Sequence, residues 1–328
     1  MRVVVLGAGA WGCALASLLA EGEHDVALWE IDPVGAERLA HTRTHPYLGT
    51  RLAASIEVTA DIARAVRDRG VVTLATPSEH VRSTMRAAAP HLAGDAVIAC
   101  AAKGLEADTL LTMDRVVDDV VPGARLALLS GPTFAKEIAA GLPGAAVAAS
   151  RESAAASLVQ RAFSVGSLRV YTTDDVIGVA LGGALKNVVA IAVGVSDGLG
   201  FGDNARAALI TRGLSEMARL AVNMGAHPLT MAGLAGVGDL VLTCTGDLSR
   251  NRQVGLALAR GEALTEVIRR LGQVAEGVST ARAGAGLAQR TGVEMPITTN
   301  VAAVLHHGKP PRDAVAELLS RDFRAERD

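Results

Sequence analysis

Short apolar runs separated by stretches of helical periodicity fill the first half of the chain. Val3 to Leu6, Val26 to Trp29, Val71 to Ala75, Ala96 to Ala101, Leu126 to Leu129 and Ala145 to Ala149 each read as a strand buried on both faces. Strands alternating with helices predict an α/β fold built on a mostly parallel sheet with helices on both faces. Past Arg169-Val-Tyr-Thr-Thr the pattern becomes helical with Gly-rich connections. Two domains are therefore expected, residues 1–173 around the sheet and an all-helical part over residues 174–328. The charged end from Arg321 is expected to fray. No internal repeat or low-complexity tract interrupts this plan.

One apolar run tests the soluble reading, because Val176 to Val195 approaches the length of a membrane span. Lys186 and Asn187 lie at its centre, and a Lys at mid-membrane costs roughly 2.5–3.5 kcal/mol. The run is read as a buried helix, with no membrane insertion. Half the residues are apolar, a fifth are charged, and 35 of the 328 are Gly, a composition suited to close packing of small side chains. Lys and Arg total 32 against 34 Asp and Glu, so no broad cationic field invites nucleic acid. Cys13, Cys100 and Cys244 lack disulfide or metal-type spacing, which fits a reducing, cytoplasmic setting and no metal site. The N-terminal residues enter a strand at once and read as neither leader nor targeting segment.

Chemistry concentrates at the ends of the apolar runs. Gly7-Ala8-Gly9-Ala10-Trp11-Gly12 stands between a strand and a helix. In that context Gly7 makes the tight turn, Gly9 lets backbone approach a pyrophosphate, Gly12 permits close helix packing, and the helix N-terminus attracts the anion. Glu30 and Asp32 follow about 20 residues on, where a ribose-binding carboxylate is expected in a dinucleotide site. Similar Gly turns occur in some methyltransferases. Ligands of open α/β sheets collect at the carboxyl ends of strands, so Thr76-Pro77-Ser78, Lys103-Gly104 and Ser130-Gly131-Pro132 are expected site walls.

Lys103 at such an end is either a solvated turn residue or a substrate contact. Lys186 is the only charge in its run, and burial should depress its pKa toward neutrality, the tuning that a general acid/base needs. The competing reading is a Lys that snorkels or pairs with a buried carboxylate. Asp239, in Gly236-Val-Gly-Asp-Leu-Val-Leu-Thr-Cys-Thr245, is either a helix N-cap or a partner of Lys186. Ser249-Arg250-Asn251 offers hydroxyl, guanidinium and amide, a set that suits a phosphate monoester and equally a polar helix start.

Eight motifs in order complete the picture: Gly7 to Gly12, Ala101-Ala-Lys-Gly-Leu-Glu, Ser130-Gly-Pro-Thr-Phe-Ala-Lys-Glu137, Leu181-Gly-Gly-Ala-Leu-Lys-Asn-Val188, Asp203-Asn-Ala-Arg206, Leu209-Ile-Thr-Arg-Gly-Leu214, Gly236 to Thr245 and Glu276-Gly. Over residues 1 to about 315 the chain resembles bacterial-type NAD(P)-dependent glycerol-3-phosphate dehydrogenases. The resemblance implies a Rossmann domain, a helical domain and an active site in the cleft between them. It implies interconversion of sn-glycerol 3-phosphate and dihydroxyacetone phosphate, supplying phospholipid synthesis. By the same resemblance Lys186 is the general acid/base, and Lys103 touches substrate and cofactor. Asp239 lies by the reacting end, while Gly131, Thr133, Ser249, Arg250 and Asn251 hold substrate. Trp11, Ala135, Val274 and Glu276 line the cofactor site, and Arg250 is near it. The family commonly has Ser where Ala10 stands, so one contact is lost and the Gly backbone donors are kept. Glu30 argues for NAD over NADP. A dehydrogenase of another small hydroxy acid or phosphorylated alcohol, and a non-catalytic dinucleotide sensor, are the alternatives. The sequence leaves oligomeric state open, a homodimer being the assembly considered.

Overall fold

Alternation along each apolar run sends neighbouring side chains to opposite faces of one sheet. In β1 (Arg2–Leu6), Val3 and Val5 enter one core layer and Val4 and Leu6 the other. The computed structural model describes residues 1–320, so the tail expected to fray from Arg321 lies outside the described residues. The remaining strands are β2 (Asp25–Trp29), β3 (Glu57–Thr59), β4 (Val71–Leu74), β5 (Val97–Cys100), β6 (Arg125–Ser130), β7 (Gly144–Ala149) and β8 (Leu168–Thr173). They form one sheet of eight strands in the order β3-β2-β1-β4-β5-β6-β7-β8. The order reverses between β1 and β4, and that switch point opens the crevice where such sheets bind ligands.

The sheet is parallel from β3 through β6, with Val5 beside Leu28 on one side and Thr73 on the other. β7 then reverses, placing Ala149 opposite Leu128, and β8 runs parallel to β7. The cause is the connection, whose only helix is α6 (Ala135–Ala139). Its single turn and a half rises about 7 Å, too little to carry the chain back along β6, so β7 starts from the end where β6 stops. β3 and β8 are the two strands that the apolar runs did not predict. β3 has one apolar residue, Val58, and edge strand β8 buries Leu168 and Val170 while exposing Arg169 and Tyr171.

Beside α6, the helices around the sheet are α1 (Ala10–Glu21), α2 (Pro33–Thr42), α3 (Ile62–Val66), α4 (Val81–Ala88), α5 (Met113–Val120) and α7 (Ser153–Phe163). After β8 the chain is helical: α8 (Val176–Gly198), α9 (Gly202–Asn223), α10 (Pro228–Met231), α11 (Asp239–Thr245), α12 (Arg250–Ala259), α13 (Leu264–Leu271), α14 (Glu276–Thr291), α15 (Pro296–His306) and α16 (Pro311–Leu319). α8 is long and apolar enough to cross a membrane, but the protein itself buries it. Small residues make that enclosure possible. A Cβ on Gly194 of α8 would sit 2.1 Å from the carbonyl oxygen of Arg252, and one on Gly255 of α12 equally close to that of Ile191. The two backbones therefore touch, and α12 is locked against the helix that carries Lys186. A second apolar stretch of spanning length, Pro228–Thr245, is broken by non-helical backbone at Gly236.

Candidate active site

The carboxyl ends of β4, β5 and β6 meet the N-termini of α11 and α14, and polar side chains gather between them. Gly7 turns the chain out of β1 with φ of +108°, and a Cβ there would lie 2.9 Å from the backbone nitrogen of Thr76. A Cβ on Gly12 would strike the carbonyl oxygen of Gly7 at 1.8 Å, so α1 can approach β1 only with glycine there. Gly9 is different: nothing stands within 4 Å of its missing side chain. It caps α1 without a side-chain hydrogen bond, and no acidic residue occupies the first turn. The N–H groups of Ala10, Trp11 and Gly12 are thus left for an anion, and this cradle fits a dinucleotide pyrophosphate.

At the end of β2, Glu30 accepts the Asp32 N–H at 3.1 Å. Asp32 caps α2 by accepting from Val34 and Gly35 at 3.2 and 3.0 Å. Both oxygens of Asp32 are therefore engaged locally, and Glu30 is the freer carboxylate. Trp11 and Ala135 both pack against one core layer, while Val274 stands exposed before α14.

Three charged residues from three segments converge. Lys103, just beyond β5, donates to Oδ2 of Asp239 at 2.8 Å and to the carbonyl of Gly131 at 3.0 Å. Lys186 in α8 donates to Oδ1 of the same Asp239 in a short hydrogen bond, and to the hydroxyl of Thr243 at 2.9 Å. Asp239 is 1% exposed and Lys186 7%. Asp239 thus bridges two lysines instead of capping: it is the first residue of α11, whose cap position is Gly238. Burial lowers the Lys186 pKa from 10.5 to about 8, with Asp239 the chief opposing influence. Burial also pushes Asp239 upward, but Lys103 and then Lys186 outweigh it, holding the carboxylate below its ordinary value. Two ammonium groups against one carboxylate leave a net positive charge that an anionic oxygen can balance.

A polar rim surrounds this centre. Thr133 donates to the carbonyl of Gly131 at 3.1 Å. Ser249 caps α12 by accepting from the Arg252 N–H at 3.2 Å, which leaves its own proton free. Both readings of Ser249 to Asn251, helix start and anion-binding group, are compatible with that geometry. Asn251 donates to the side chain of Asn187 at 2.8 Å and accepts from the Gly277 N–H at 2.9 Å, retaining one amide hydrogen. Arg250, in the first turn of α12, faces the field of Glu276. The sequence reading assigned no site role to Thr243 or Asn187. Thr243 is four residues from Asp239 on one helix face, and Asn187 adjoins Lys186, so both signals were present. Ser78 lay in a turn already expected to wall the site.

Two family models match the chain. The N-terminal model of NAD-dependent glycerol-3-phosphate dehydrogenase matches residues 2–156, and the C-terminal model matches residues 175–316. Proteins named glycerol-3-phosphate dehydrogenase [NAD(P)+] from Geobacter sulfurreducens and Anaeromyxobacter dehalogenans are each 51% identical to this chain. The alignments cover 99% of this chain, and 99% and 100% of the respective relatives. A crystal structure of glycerol-3-phosphate dehydrogenase from Coxiella burnetii superposes with a TM-score of 0.93 at 38% identity, covering 98% of this chain and 99% of that one.

Proposed function

This chain belongs to the NAD-dependent glycerol-3-phosphate dehydrogenase family, and on that premise we propose how its residues interconvert sn-glycerol 3-phosphate and dihydroxyacetone phosphate with NAD(P)(H). The observation that carries the reading is the pair of lysines held on one buried carboxylate, because a reducible ketone needs a proton donor and a charged partner for its oxygen. The Gly7, Gly9 and Gly12 turn with the N-terminus of α1 holds the dinucleotide, joined by Ala10, Trp11, Ala135, Val274 and Glu276. Reduced nicotinamide, when bound, supplies the hydride.

Lys186 gives its proton to the oxygen of the ketone as that oxygen becomes an alkoxide, and takes a proton back in the reverse direction. Lys103 stabilises the same developing charge, and Asp239 keeps both ammonium groups aimed at one point. Arg250, with the hydroxyl of Ser249 and the spare amide hydrogen of Asn251, holds the phosphate, and Gly131 and Thr133 complete the wall. A fixed remote charge orients the reacting carbon.

The division between substrate and cofactor parts falls at residues 173 and 174, between β8 and α8. The product serves phospholipid synthesis in the cytoplasm, by a homodimer with a preference for NAD. Loss of NADH absorbance with dihydroxyacetone phosphate as acceptor tests the reading. Turnover of keto acids in its place would favour a hydroxy-acid dehydrogenase, and tight NADH binding with no turnover of either would favour a sensor.

A further inference from the structure

Ser78 and Glu276 come from opposite sides of the cleft and meet through two hydrogen bonds. The backbone N–H of Ser78, in the turn after β4, donates to Oε1 of Glu276 at 2.9 Å. The hydroxyl of Ser78 donates to Oε2 in a short hydrogen bond. Gly104, beside Lys103, roofs this contact. A Cβ there would lie 2.4 Å from the hydroxyl oxygen of Ser78, 2.5 Å from its Cβ and 3.4 Å from Oε2 of Glu276. A side chain at position 104 would therefore collide with the serine where it stands, and glycine leaves it room. The charge of Arg250 acts on Glu276, and no hydrogen bond joins the two among the described residues.

A carboxylate offers acceptors only, about four lone-pair sites on its two oxygens. Ser78 takes one on each oxygen and thereby sets the direction of those left over. The donors that a nicotinamide dinucleotide presents are the ribose hydroxyls, the carboxamide NH2 and the adenine amino group. We propose that Ser78 is a positioning residue for the cofactor, acting through Glu276: it holds the carboxylate so that the unused lone pairs receive a donor of the dinucleotide. The inference rests on the reading of Glu276 as a cofactor-site residue. It gives the turn after β4 a part in cofactor affinity and assigns Gly104 the task of keeping the serine in place.

Fluorescence titration with NADH alone, together with Michaelis constants for NADH and dihydroxyacetone phosphate, tests it. Ser78→Ala weakens NADH binding about tenfold, the worth of one hydrogen bond to a charged group, and changes kcat and the KM for dihydroxyacetone phosphate less than about twofold. Gly104→Ala displaces the serine and raises the NADH dissociation constant likewise. Because Ser78 acts through Glu276, Ser78→Ala adds no further loss when placed in a Glu276→Ala background. Unchanged NADH affinity in folded Ser78→Ala, or additive losses in the double variant, would overturn the inference while leaving the site reading intact. Unchanged NADH affinity in Glu276→Ala would overturn the assignment of Glu276 itself, and the inference with it.

Discussion

Burial lowers the Lys186 pKa, Asp239 raises it and the neighbouring Lys103 lowers it again, and burial prevails to leave it at about 8. A lysine is an acid only while protonated. Reduction of the ketone should therefore fall as pH rises through about 8, and oxidation of the alcohol should rise through the same range. Rate profiles in both directions check this, and parallel profiles would remove Lys186 from proton transfer. Lys186→Met should cost turnover ~10²–10⁴-fold while NADH still binds, since loss of a general acid is worth that much. Near-parental turnover would make the lysine structural. Arg250→Ala should raise the KM for dihydroxyacetone phosphate at least about tenfold and leave that for dihydroxyacetone nearly unchanged, because a lost guanidinium contact matters only where there is phosphate to hold. Equal effects on both compounds would show that Arg250 does not read the phosphate. At this scale much was legible: a lone charge in an apolar run is conspicuous. What could not be read was its partner, since a capping Asp and a bridging Asp look alike in sequence.

Helices α9 and α15 are coupled by one buried carboxylate. Glu216 of α9, 2% exposed, accepts the N–H groups of Ile297 at 2.7 Å and Thr298 at 3.2 Å, capping α15 where no side chain of its own does so. Burial raises its pKa from 4.5 to about 7 against those hydrogen bonds. A raised carboxyl pKa means that its contribution to stability is complete below about 4.5 and is lost as pH rises through about 7. The shift corresponds to roughly 3 kcal/mol. Glu216→Gln cannot ionise, so the parent should lose Tm relative to this variant across that window, as thermal melts at several pH values will reveal. A constant difference would mean that Glu216 does not titrate there. Among the elements, strands with continuous apolar runs were legible because burial on both faces leaves a local mark. β3 was not, since three residues at a sheet edge bury too little to write a pattern, and the reversal of β7 depends on the length of α6 rather than on β7 itself.

Cofactor choice belongs to the whole molecule, because the adenosine end proposed here would lie where β2 meets the crevice opened by the strand order. Glu30 stands there with one oxygen on the Asp32 N–H, and Asp32 is committed to capping α2. A 2′-phosphate would meet like charge, whereas a ribose hydroxyl could donate to Glu30. The kcat/KM for NADH should exceed that for NADPH, and Glu30→Arg should shift the ratio toward NADPH. An equal or higher value for NADPH in the parent would defeat the prediction, and an unchanged ratio in the variant would point away from Glu30. By itself the sequence determined the α/β beginning, the helical remainder, the Gly turn and the lysines worth suspecting. Each of these depends on neighbours a few residues apart, through periodicity, turn geometry or a charge in an apolar run. The tertiary structure alone decided which of them meet. Lys103 and Asp239 are 136 residues apart, and Lys186 and Asp239 are 53 apart. Ser78 and Glu276 are separated by 198. Contacts at that range are set by strand order and by glycine-permitted helix crossings, which act through three-dimensional packing and leave no periodic trace along the chain.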